Sequence, residues 1–162
     1  MKKCVAAILL LGALLIGGEA PALAPPPPPG TRNFTVQAQR DLQFQTVIAG
    51  FPTMVSWDSA EAGRWRVRGQ AGAEIQLDFI NLPTHLENGT FQMPITFASG
   101  DAHWRSPGGG QGTFDPGVGT TARLGNSGQM FVFIGGTVSP PRNQAAGSYV
   151  ADIDLDVFYT GN

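Results

Sequence analysis

From Phe34 to the end of the chain, apolar and polar residues alternate in short runs, and glycine, proline or asparagine closes most of them. This period of two limits the fold more than any other feature. Successive side chains of a strand point to opposite faces, whereas a helix needs a repeat near 3.6. In "NFTVQAQRDLQFQTVI" Phe34, Val36, Ala38, Leu42 and Phe44 share one side, and Arg40 interrupts the row. Two strands, or one strand with a break, are expected there. The runs "PTMVSW", "GRWRVRG", "EIQLDFINL", "FQMPITFAS", "TARLGN", "QMFVFIGGTV" and "GSYVADIDLDVFYT" continue the pattern. They predict an all-β sandwich of about seven strands with little or no helix. Asn88-Gly89, between "THLE" and "TFQMPITF", predicts a hairpin. The glycine-rich stretch Ser106 to Thr121 is expected to be an exposed, mobile loop.

The start of the chain is different. "MKK", the apolar run "CVAAILLLGALLIGG" and Ala22-Leu23-Ala24 have the anatomy of an export signal cleaved after Ala24. The expected organisation is a signal peptide at 1–24, a proline-rich leader at 25–33 and one domain at 34–162. The leader's prolines lack the N–H a sheet requires, so it reads as a stiff extended stub. Cys4, the only cysteine, goes with the signal, so the domain has no disulfide and must be held by packing or by association. Removing Lys2, Lys3 and Glu19 from ten basic and twelve acidic residues leaves eight arginines, no lysine, eleven carboxylates and a net charge of −3. That balance argues against nucleic acid as a partner. No apolar run after the signal approaches the length that spans a bilayer, so no membrane anchor is expected once the signal is cleaved.

Candidate chemistry is sparse. Asp152, Asp154 and Asp156 alternate with Ile153, Leu155, Val157 and Tyr159. Neighbours on one strand face stand about 6.5–7 Å apart, too far for three carboxylates to close on one ion, so the acidic row reads as the wet side of the last strand. Arg64, Arg66 and Arg68 form a basic row with the same spacing. Pairing of the two rows across neighbouring strands would fix register and add about 0.2–1 kcal/mol per pair. His85 and His103 lie in no metal-ligand spacing, and no serine sits in a nucleophile elbow. The expectation is a non-enzymatic protein with no catalytic residue, cofactor or metal. His103, Trp104 and Arg105 are a candidate ligand loop in which Trp104 is the exposed tryptophan, while Trp57 and Trp65 are expected in the core.

The quoted strands, with "DLQFQTVIAG", "RWRVRGQAGAEIQLDFI" and above all "GQMFVFIGGTVSPPRNQAAGSYVADIDLDVFYTGN", resemble the domain of unknown function 4402 family of bacterial exported proteins over about residues 34–162. The ending is also similar to spore coat U and chaperone–usher pilin domains, in which a G-x-Y segment, here Gly147-Ser148-Tyr149, opens the last strand of an incomplete immunoglobulin-like sandwich. The resemblance implies a periplasmic, surface or secreted structural subunit. Its partners would be other copies of itself or related exported subunits, and a neighbour's strand would complete the domain beside the last-strand face of Ile153, Leu155, Val157 and Tyr159. "NFTVQAQ", with Phe34, Val36 and Ala38, is the expected donor, either to a neighbour or folded back on its own domain. The second expectation, from a different class, is a self-contained secreted module that recognises sugar or a surface polymer.

Overall fold

The computed structural model describes residues 34–161; the expected signal peptide and proline-rich leader lie outside them. Among the described residues there is no helix, and the alternating runs become twelve strands. They are β1 (Thr35–Arg40), β2 (Thr53–Val55), β3 (Gly63–Arg68), β4 (Glu74–Ile80), β5 (His85–Asn88), β6 (Phe91–Thr96), β7 (Ala102–Ser106), β8 (Gly110–Phe114), β9 (Thr120–Arg123), β10 (Gln129–Ile134), β11 (Gly136–Val138) and β12 (Asp154–Tyr159). All ladders are antiparallel, in sheets ordered β1-β3-β10-β7-β8, β2-β11-β6-β5 and β12-β4-β9, and the whole is an all-β, sandwich-like fold.

The five-stranded and three-stranded sheets share one core. Val67 of β3, Met130, Val132 and Ile134 of β10 and Ala102 of β7 pack with Ile75, Leu77 and Phe79 of β4 and Ala122 of β9. Each comes from every second position of its strand, as the pleat requires. A smaller core of Met93, Ile95 and Val138 lies under the four-stranded sheet, with Phe44, Val47, Leu86, Phe97 and Tyr149 packed on it. β10 and β11 belong to different sheets, and the change occurs at Gly135, where a Cβ would overlap the Val55 carbonyl.

Several expectations are corrected. Ser106 to Thr121 is not one long loop: it holds β8 and the start of β9, with Phe114 in the core. Its glycines give room rather than slack. Gly112 faces the Trp104 indole, so that a Cβ there would stand 3.1 Å from Nε1. The run at 34–48 is one strand, not two, because residues 41–49 leave the sheet to line a cleft. The hairpin at Asn88-Gly89 is present, but its closing pair is Asn88 with Phe91, so Gly89-Thr90 is the two-residue turn, with Gly89 at φ 59°. The arginine and aspartate rows do not pair within the chain, since β3 lies between β1 and β10 whereas β12 pairs with β4.

Candidate functional site: the open side between the first and last strands

β1 and β12 are both edge strands, and they run along the same side of the sandwich. At one end Phe34, just before β1, stacks on Tyr159 at the end of β12, with ring centroids 3.9 Å apart. The Tyr159 hydroxyl accepts a hydrogen bond from the Gln70 amide at 2.7 Å, which ties this end to the turn after β3. At the other end the segment after β1 and the segment before β12 diverge around a cleft of about 1120 Å³. Leu42, Phe44 and Val47 line one wall, Tyr149 and Ile153 the other, and Met93, Ile95 and Val138 the floor.

The register assigns side chains to faces. Val36 pairs with Val67 and Ala38 with Trp65, so both point to the inner side of their sheet. Val67 is fully buried, yet Val36 is 38 % exposed and Ala38 is exposed as well. The difference is width: among the described residues the three-stranded sheet ends at β12, while the five-stranded sheet continues to β1. Ile153, Leu155, Val157 and Tyr159 are half-buried against the main core. Along the outer edge of β12 the Val157 amide donates to the carboxylate of its neighbour Asp156 at 2.9 Å instead of joining a ladder. The edge of a sheet is where a further strand adds.

Tyr149 anchors the wall of the cleft. Its hydroxyl donates to the Ala145 carbonyl at 2.7 Å and accepts from Gln144 Nε2 at 2.6 Å, while Val150 and Glu87 exchange two backbone hydrogen bonds at the margin of β5. The sequence marked Tyr149 through its G-x-Y setting; Leu86, Met93 and Ile95 carried no local signal, because only the fold brings β5 and β6 beneath this segment.

His103, Trp104 and Arg105 are not a loop. They lie in β7, hydrogen-bonded on both sides to β10 and β8. Trp104 faces inward against the main core, whereas Trp57 stacks on His103 from outside with centroids 3.8 Å apart, the reverse of the expected roles. His103 is buried by this stack, and its Nδ1 has no hydrogen-bond partner among the described residues. Burial lowers its pKa, the Arg105 charge lowers it further, and Asp58 opposes both. A neutral ring is favoured because a proton on Nδ1 would be a buried donor beside a cation. Asp101 does not serve it; its carboxylate accepts from the Ala98 amide at 2.7 Å. Among the described residues no three His, Cys, Asp or Glu side chains gather as metal ligands would.

No family model matches the chain, and no curated protein matches it.

Proposed function

We propose that this chain is a non-enzymatic, exported bacterial structural subunit. It joins other copies of itself or related subunits by accepting an extended segment between β1 and β12. The observation that carries the reading is the exposure of Val36 and Ala38 on the inner side of β1, with β12 the outermost strand of its sheet among the described residues. A strand added to β12 covers both side chains and takes up the edge amides, with the apolar cleft receiving its continuation. The likeness to pilin-type domains in the C-terminal stretch supports the same reading. In this arrangement Phe34, Val36 and Ala38 form part of the receiving groove, because Val36 and Ala38 are already paired to β3 and Phe34 stacks on Tyr159 in their own chain.

Size-exclusion chromatography with light scattering, followed by negative-stain microscopy, tests the proposal on the mature chain from Pro25. Val157→Pro removes an amide that makes no ladder bond, so it should leave the monomer folded and abolish ordered polymers. Val36→Glu should act in the same way from the opposite wall. Polymers that persist in both variants, or a native chain that stays monomeric at high concentration, would overturn the reading.

A further inference from the structure

The two sheets of the main sandwich turn opposite outer faces to solvent, and the register says what each presents. On the five-stranded sheet Arg66 pairs with Phe131, and Phe131 with Arg105; Arg64 pairs with Phe133, and Phe133 with His103; Arg68 pairs with Gln129. Directly paired residues share a face, so four of the eight arginines left after the signal lie on one surface around two half-buried phenylalanines. Arg64 lies over the Phe131 ring at 4.9 Å. Its guanidinium donates to Gln39 Oε1 at 2.8 and 2.6 Å, and Arg66 donates to Gln37 Oε1 at 2.6 Å. Those partners are neutral, and none of the four arginines forms an ion pair among the described residues.

The three-stranded sheet is the converse. Asp156 stands directly opposite Asp78, and Asp154 opposite Ile80, with Phe158 next in the row. Like charges directly opposite are unfavourable. The carboxylates are met by neutral donors, Gln76 Nε2 for Asp78 at 2.7 Å and the Val157 amide for Asp156. Ile80 and Phe158 remain 44 % and 47 % exposed beside them. Farther along this face Glu74 stands directly opposite Arg123, so around Asp154 and Asp156 the face has carboxylates and apolar surface where the other has guanidinium groups and aromatic rings. The spacing also agrees: Arg64 and Arg66, like Asp154 and Asp156, are two apart on a strand, about 6.5–7 Å.

We propose that the arginine face of one copy docks on the aspartate face of a second copy. Arg64 and Arg66 then meet Asp154 and Asp156, Phe131 and Phe133 cover Ile80 and Phe158, and charges with no ion-pair partner among the described residues of one chain are compensated between chains. Because the two patches lie on opposite sides of one molecule, the contact is head-to-tail and repeats along an open stack rather than closing as a dimer. This contact is separate from strand addition and joins faces instead of edges.

The experiment is sedimentation and light scattering of the mature chain, native and carrying Val157→Pro, from about 0.02 M to about 1 M salt, over which the screening length falls several-fold. Association that survives Val157→Pro and weakens at least tenfold with salt is expected. Arg64→Glu/Arg66→Glu and Asp154→Arg/Asp156→Arg should each remove it alone, and an equimolar mixture of the two should restore it as an alternating stack. The neutral pairs Arg64→Gln/Arg66→Gln and Asp154→Asn/Asp156→Asn provide the same reading should a reversal prevent folding; each should weaken association about tenfold. Folded variants whose mixture stays monomeric, or association indifferent to salt, would overturn the proposal. Binding of heparin to the native chain, lost in Arg64→Gln/Arg66→Gln and without self-association, would also overturn it by making the occupant a soluble polyanion.

Discussion

The five-stranded and three-stranded sheets are built from the same alternation and share one core, yet they differ in width and in the charge of their outer faces. Width decides which inward side chains are buried. Leu77 of β4 is fully buried because strands lie on both sides of it and the wider sheet covers it, whereas Val36 of β1 also points inward but stays 38 % exposed. Burial is therefore a property of what lies opposite a residue, and inward orientation alone does not confer it. The groove between β1 and β12 exists because one sheet is wider than the other.

The largest test of this comparison is truncation within the shared core. Leu77→Ala should cost about 2–5 kcal/mol in denaturant unfolding, since neighbours on every side prevent the site from collapsing. A loss under about 1 kcal/mol would mean that the two sheets are not packed as described.

The change of sheet between β10 and β11 comes next. Gly135→Ala brings a Cβ against the Val55 carbonyl and 2.9 Å from the Trp57 amide, both backbone groups that cannot swing aside. An overpacking penalty of about 1–3 kcal/mol is expected by thermal or chemical unfolding. An unchanged midpoint would show that the connection to the four-stranded sheet is loose.

A smaller effect should appear on the arginine face as pH falls. His103 has a folded pKa below its ordinary value near 6.5, so in the interval between the two the unfolded chain binds a proton that the folded chain does not. Its stabilising contribution is complete above about pH 6.5 and is lost as pH falls through the lowered folded value. His103→Phe keeps the stack on Trp57 and should flatten the thermal midpoint between about pH 6.5 and 5 relative to the native chain. Equal slopes in the two proteins would remove His103 as the cause.

The smallest expected change sharpens the comparison most directly. Val36→Ala should alter monomer stability by about 0.5 kcal/mol or less, as for an exposed residue, against the several kcal/mol for Leu77, which points inward from the other sheet. If assembly covers Val36, the same substitution should weaken polymers while leaving the monomer's unfolding curve in place.

Much of the strand pattern was legible beforehand. β3, β4, β6 and β10 fall within runs whose period of two is plain, and the Asn88-Gly89 signal located the β5–β6 hairpin. The errors are instructive. β7 and β8 were hidden because "HWRSPGGGQGTF" has the composition of a loop; the glycine at 112 is a space reserved for Trp104, and that requirement arises only once the two strands lie side by side. Residues 41–49 alternate as well as β1 does but find no partner edge, so the same local pattern gave a strand in one place and a cleft wall in the other. Trp57 and Trp104 exchanged roles because the hydropathy of an indole does not say which face of a sheet it occupies.

The sequence by itself determined that the chain folds into strands, which residues of each strand share a face, and that the arginines and aspartates occupy outer faces, because these follow from a backbone period of two. Only the tertiary structure decided which strands become neighbours, that the basic and acidic rows face away from each other, and that one sheet ends before the other, leaving Val36 and Ala38 uncovered. Those outcomes depend on pairing and packing between segments distant in the chain, for which alternation along a single strand carries no information.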